Sequence, residues 1–136
     1  MTIKEVEQEI VDEFSIFTDW MDKYEYLIEL GKSLPIIGDS AKQEGNLIKG
    51  CQSRVWLNAQ LSDDKLYFTA DSDAIITKGI ISLLVRVYSG RTPKEILEAD
   101  IAFLEKIGLQ ENLSPTRANG LLSMIRQIKY YAAAYS

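Results

Sequence analysis

Apolar positions along the chain change period twice, and each change marks a new element. Ile3, Val6, Ile10, Phe14 and Phe17 stand three and four residues apart, on one face of a helix. Thr2 and Glu5 supply the capping-box pattern that starts it. Thr18 or Asp19 caps a second helix whose Tyr24, Leu27 and Ile28 face inward, with Gly31 as its stop and Pro35 just beyond. Residues 32–50 show no periodicity and hold Pro35, Gly38, Gly45 and Gly50, so they read as a long loop, of the kind that is functional or disordered.

The period then drops to two. Val55, Leu57 and Ala59 alternate with Arg54, Trp56 and Asn58; Leu66, Phe68 and Ala70 alternate with Tyr67, Thr69 and Asp71. Leu61-Ser62-Asp63-Asp64 joins the two strands as a turn. A lone hairpin is marginal in water, so it needs a third strand or a helical cover. The next segment supplies the cover. From a cap at Ser72 or Asp73 to Tyr88 or Ser89, Ile75, Ile76, Ile80, Ile81, Leu83, Leu84, Val85 and Val87 make a helix apolar almost all round, which marks it as buried. Gly90 ends it. Thr92-Pro93-Lys94-Glu95 opens a short helix to about Glu98, Asp100 caps another that Gly108 ends, and Ser114-Pro115 opens the last, with Leu121, Leu122, Ile125 and Ile128 as its stripe. The expected fold is α+β: a small antiparallel sheet packed against several helices, in one domain over 1–136.

Composition narrows the chemistry. Among 136 residues there are 15 Lys and Arg against 20 Asp and Glu, a net charge of −5. That balance argues against nucleic acid or an anionic membrane as partner. There is one cysteine, Cys51, and no histidine. Their scarcity removes Ser-His-Asp and Cys-His catalysis, His-ligated zinc, and any iron–sulfur site built by one chain. Neither a signal peptide nor a membrane span is read in the sequence, so the expected compartment is the cytoplasm. Gly31-Lys32-Ser33 echoes the end of a P-loop, but Tyr26 stands where its first Gly belongs, and nucleotide binding is discounted.

Cys51 is the remaining nucleophile. A free cysteine is usually a small core residue. This one follows Gly50 at a loop-to-strand junction, with Lys49 and Arg54 close in sequence, where positive charge would favour the thiolate. A thiol without a base is a poor hydrolase but a capable relay, able to take a sulfur atom from one partner and yield it to another. Shelter for the thiol is expected, with Val55 and Leu57 as the cover.

Asn46-Leu47-Ile48-Lys49-Gly50-Cys51-Gln52-Ser53-Arg54-Val55-Trp56-Leu57 resembles the signature of the SufE family, the sulfur acceptors of the Suf iron–sulfur cluster pathway. Asp71-Ser72-Asp73-Ala74-Ile75-Ile76-Thr77-Lys78-Gly79, Leu113-Ser114-Pro115-Thr116-Arg117-Ala118-Asn119-Gly120-Leu121 and Trp20 to Gly31 agree in order and spacing. The resemblance implies a fold shared with IscU-type scaffolds. It implies that a PLP-dependent cysteine desulfurase, SufS-like or CsdA-like, passes persulfide sulfur to Cys51 and is stimulated in doing so. It implies delivery to a SufBCD-like scaffold, with PLP on the partner and no cofactor here. Gly50, Gln52, Ser53, Asp71, Asp73 and Arg117 become candidates for partner binding or loop support, in a monomer or homodimer.

Blander readings stand beside these. Asp71 and Asp73 suit helix caps. Arg117, in a helix's first turn where a cation is unfavourable, suits an ion pair, a partner contact or a solvated side chain. Trp56 suits a sheet face. The function itself has two alternatives: a CsdE-like carrier feeding tRNA modification, and an allosteric activator that carries no sulfur.

Overall fold

The computed structural model describes residues 2–51, 53–100, 102–109 and 113–136. Helix α1 spans Ile3–Ser15 and α2 spans Trp20–Gly31. The capping box at the start of α1 is complete: Thr2 Oγ1 accepts from the Glu5 amide at 3.1 Å, and Glu5 Oε1 accepts from the Thr2 amide at 3.0 Å. Ile3, Val6, Ile10 and Phe14 form its buried face. Phe17 lies past the helix end and is half-buried, its ring 5.2 Å from that of Tyr26. Asp19 caps α2 through the Met21 amide. Of the three residues expected to face inward from α2, only Leu27 is buried; Tyr24 and Ile28 are half-buried, because α2 lies on the outside of the helical layer.

Strands β1, Val55–Ser62, and β2, Lys65–Ser72, pair antiparallel with Leu57 opposite Ala70 and Ala59 opposite Phe68. The turn is tighter than the expected four residues. Asp63 and Asp64 alone make it, at φ 50° and 63°, the left-handed pair that matches hairpin twist. Val55, Leu57, Leu66, Phe68 and Ala70 are buried to 1% exposure or less.

The β2 edge of the hairpin is closed from Leu66 to Ala70, and the β1 edge at its start. Along β2, the outward amides of Leu66, Phe68 and Ala70 donate to Arg91 O, Ser89 Oγ and Pro35 O at 2.8, 2.9 and 3.1 Å. The Ala70 carbonyl accepts from the Ile37 amide and the Leu66 carbonyl from that of Gly90. Along β1, the Val55 carbonyl accepts from the Ile48 amide at 2.8 Å. The segment 32–50 is thus an ordered strap. It holds two single-turn 3-10 helices, Asp39–Ala41 and Glu44–Asn46, and buries Leu34, Ile37 and Ile48. It lacks a period because it inserts apolar residues singly over the sheet edges.

Helix α3, Ile75–Tyr88, covers the sheet face and is buried along most of its length. Its start differs from expectation. Ala74 is the N-cap and no side chain caps the helix; Ser72 Oγ accepts from the Ala74 amide, and Asp73 turns back to the hairpin. Ile75 is left 65% exposed. Helix α2 crosses α3 at Gly79, where an added Cβ would lie 2.2 Å from the Leu27 carbonyl oxygen. Helices α4, Pro93–Glu98, α5, Ala102–Lys106, and α6, Pro115–Ala134, complete the layer. Lys129 of α6 donates to the carbonyls of Ile96 and Ala99 at 2.9 and 2.7 Å and so closes the end of α4. Leu122 falls off the expected stripe and is exposed; Met124 and Ala132 complete it.

Arg86 of α3 pairs with Glu9 and Glu13 of α1, and the Tyr26 hydroxyl of α2 donates to Glu13. The Arg86 hydrogen bond holds the Glu13 carboxyl below its ordinary 4.5, against the opposing effect of burial. Two outcomes follow from this geometry. Gly79→Ala should lower stability in urea unfolding by about 2 kcal/mol, since the crossing must open. Glu13→Gln should weaken the fold fully above pH 4.5, with the gap to wild type closing as pH falls through the lowered Glu13 value, because only the ionised carboxylate holds Arg86.

Candidate functional site

The backbone around Cys51 is closed into a loop by the strands it joins. Ile48 and Val55 are hydrogen-bonded to each other, so the chain around Cys51 leaves the sheet between them. The loop's stem is clamped at Arg54: its amide donates to Asp73 Oδ1 at 3.0 Å, and its carbonyl accepts from Ser72 Oγ at 2.8 Å. Gly50 turns the chain at φ 91°, and a Cβ there would lie 2.6 Å from Ser123 Oγ of α6. The conformation therefore favours glycine, and a Cβ would also have to displace the Ser123 hydroxyl.

Cys51 is half-buried against α6. Its Sγ–H points at the Gly120 carbonyl, 3.6 Å away, and a Cβ at Gly120 would lie 3.4 Å from the sulfur. A cavity of about 80 Å³ opens beside the thiol. Thr77 and Ile80 of α3 form one wall, and Thr116, Arg117 and Met124 of α6 another; Ser53 lines the loop side. That volume exceeds several-fold the minimum a single water requires.

The expected cover was Val55 and Leu57. Both are buried in the core instead, and neither lines the cavity; α3 and α6 provide the shelter. The expected electrostatics also differ. Lys49 and Arg54 are exposed and do not line the cavity. Burial alone acts on the thiol, pushing its pKa up, so Cys51 rests as the neutral thiol at neutral pH.

Sequence placed Cys51, Ser53 and Arg117 as candidates, and the fold brings them to one cavity. Gly50 makes the turn into it. Gln52 lies outside the described residues. Asp73 secures the loop stem through the Arg54 amide and does not cap α3. Asp71 is no cap either. It meets Lys42 Nζ at 2.6 Å and Lys78 Nζ at 3.5 Å, and Lys42 lies 4.9 Å from the centre of the Trp56 ring, so this group ties the strap to the hairpin. Burial raises the Asp71 pKa, but the Lys42 and Ser72 hydrogen bonds and both lysine charges bring it below the ordinary value. Thr77 and Met124 were not singled out from sequence; Thr77's one signal is a hydroxyl directly after Ile75 and Ile76 at the helix start. Among the described residues no group of acidic or thiol side chains is arranged to hold a metal.

Comparison with known proteins identifies the class. The family model for SufE, described as an Fe-S metabolism associated domain, matches residues 8–132. An uncharacterized SufE-like protein of Rhizobium etli is 41% identical over 126 residues, covering 89% of this chain and 85% of the relative. Another from Rhizobium meliloti is also 41% identical, covering 89% and 90%, and one from Synechocystis is 38% identical, covering 93% and 79%. The chain belongs to the SufE family. Its α+β fold is similar to the solution structure of a hypothetical protein from Thermus thermophilus, with a TM-score of 0.79 at 19% identity, covering 96% of this chain and 95% of that one. Among the described residues, no helix is long and apolar enough to cross a membrane.

The shelter has a measurable consequence. Alkylation of Cys51 by iodoacetamide should be slower on the native chain than on the urea-unfolded chain, with a pH midpoint above that of the unfolded thiol. Equal rates and midpoints in the two states would contradict the burial.

Proposed function

We propose that this chain is a cytoplasmic sulfur carrier, acting as one unit over 1–136, that receives persulfide sulfur on Cys51 from a PLP-dependent cysteine desulfurase and delivers it to an iron–sulfur cluster scaffold. The observation that carries the reading is a half-buried cysteine at the edge of a clamped loop, with room for one more sulfur atom beside it. Membership of a family associated with Fe–S metabolism supports the same sense of transfer.

The step is thiol–persulfide exchange. The Cys51 thiolate attacks the outer sulfur of the donor persulfide; a bond forms between that sulfur and Sγ, the donor's S–S bond breaks, and the donor leaves as its own thiolate. No net oxidation occurs. The chain lacks histidine, so the partner or solvent must accept the Cys51 proton. The raised thiol pKa keeps the resting protein unreactive, and docking has to expose or ionise the sulfur before transfer. Gly50 and Asp73 set the loop's shape, Ser53 and Arg117 line the cavity beside the sulfur, Asp71 ties the neighbouring strap to the hairpin, and Gln52 is a candidate for partner contact.

The test is transfer of labelled sulfur from cysteine by a purified desulfurase, read by non-reducing mass spectrometry. Wild type should gain one sulfur at Cys51, and Cys51→Ser none. Labelled sulfur retained on Cys51→Ser would sink the assignment. If Cys51→Ser stimulates desulfurase turnover as fully as wild type and wild type takes up no label, the chain is an allosteric activator.

A further inference from the structure

We infer that the groove between the start of α1 and the end of α4 binds an organic ammonium group, held by the Glu7 carboxylate and the Tyr88 hydroxyl. The groove shares no residue with the Cys51 cavity, and the inference stands apart from the carrier reading.

The groove has a volume of about 450 Å³, within the range of small-ligand sites. Carboxylates dominate its lining: Glu7 of α1, Glu95 and Glu98 of α4, and Asp100 just beyond, against the single ammonium of Lys4. Ile3 and Ala99 add apolar surface. Two of the carboxylates have local work. Glu95 completes the capping box of α4 with Thr92, and Asp100 Oδ1 accepts from the Ala102 amide at 3.0 Å.

Glu7 differs. Its Oε2 is buried and accepts no hydrogen bond among the described residues. Tyr88 of α3 is 0% exposed, and its hydroxyl is likewise buried without a partner. Both atoms face the same corner. Burial, then the charges of Glu7 and Asp100, push the Tyr88 hydroxyl up to about 12, so the phenol sits behind these two carboxylates. Burial and Asp100 also raise the Glu7 carboxyl above its ordinary value, against the pull of Lys106 and Lys4. A buried polar atom without a partner carries its full desolvation cost, and here two of them share one place.

Both atoms can accept: a carboxylate oxygen does nothing else, and a phenol oxygen accepts as well as donates. The missing partner is therefore a donor, and the excess of carboxylates makes it a cation. A bare metal ion does not suit, because among the described residues no group of acidic side chains converges as metal ligands must. An ammonium brings three N–H donors on an alkyl stem, which matches Glu7 Oε2, Tyr88 Oη and the surface of Ile3 and Ala99. The half-buried Glu7 side chain lines the groove in front of Tyr88, and a turn of it brings both atoms within reach of a ligand. The chain already draws one ammonium to this corner: Lys129 Nζ donates to the Ile96 and Ala99 carbonyls, and the Asp100 charge acts on it.

The test titrates the full chain at physiological ionic strength with diaminopentane, for a free amine, and with acetyl-lysyl-lysine amide, for lysine side chains of a polypeptide. Pentanediol is the neutral control. Binding is read by NMR from the backbone amides and from the Glu7 carboxyl carbon followed against pH. An ammonium probe should saturate and lower the Glu7 midpoint, the diol should do neither, and the tighter probe names the source. Tyr88→Phe should weaken binding about tenfold and Glu7→Gln at least as much, with no loss of stability in urea, since each removes an unpartnered group. Glu25→Gln, on α2 outside the groove, should bind as wild type does. Wild-type affinity in Tyr88→Phe would overturn the inference. So would an equal loss in Glu25→Gln, which would mark a response to net charge, saturation by the diol, or no saturation by either amine.

Discussion

A two-stranded sheet has two open edges and a bare apolar face, and covering them dictates the rest of this fold. Unpaired strand amides and carbonyls cost free energy wherever water is excluded. Here the partners are recruited from three separate stretches of chain: Pro35 and Ile37, Ile48, and Ser89 to Arg91. None forms a third strand. Each supplies one to three hydrogen bonds and moves on. The face is covered by α3, whose own outer side then needs α1, α2 and α6, and the ionic tie of Arg86 to Glu9 and Glu13 locks α3 to α1.

The site is a by-product of that edge closure. The bond between Ile48 and Val55 seals the start of β1 and leaves the chain around Cys51 outside the sheet. Asp73 and Ser72 then pin Arg54 from the far end of β2. What is left free to vary is the short run around Cys51, and it is pressed into the gap where the starts of α3 and α6 face each other. Burial in that gap acts on the thiol in one direction only, toward the neutral form. The same packing that shelters the sulfur therefore silences it.

Much of this was legible in the chain because the signals were local. The capping boxes at Thr2 and Thr92, the alternation from Val55 to Ala70, and the apolar run of α3 each name an element without reference to any other. Cys51 stood out as the one thiol in a chain without histidine. The strap was illegible because its buried residues, Leu34, Ile37 and Ile48, answer to the sheet edges and not to one another. The cover of Cys51 was misread for the same reason. Val55 and Leu57 are its neighbours in sequence, while Gly120 and Met124, which wall the cavity, lie about seventy residues away in the chain. Asp71 and Asp73 looked like caps because caps are the commonest local use of that residue type; long-range partners, Lys42 and the Arg54 amide, claimed both.

A carrier must hold its cargo more firmly than it reacts with bystanders, yet release it on contact with the right acceptor. Those demands conflict at a single sulfur atom, and a chain with no histidine cannot resolve them by protonation at the site. Geometry offers another resolution. A neutral thiol half-buried against a carbonyl is quiet, and the cavity beside it is lined by Ser53, Thr77, Thr116 and Arg117. The empty state is kept quiet by desolvation alone. Release then requires a partner that moves the sulfur out from between α3 and α6, which places the control of transfer at docking.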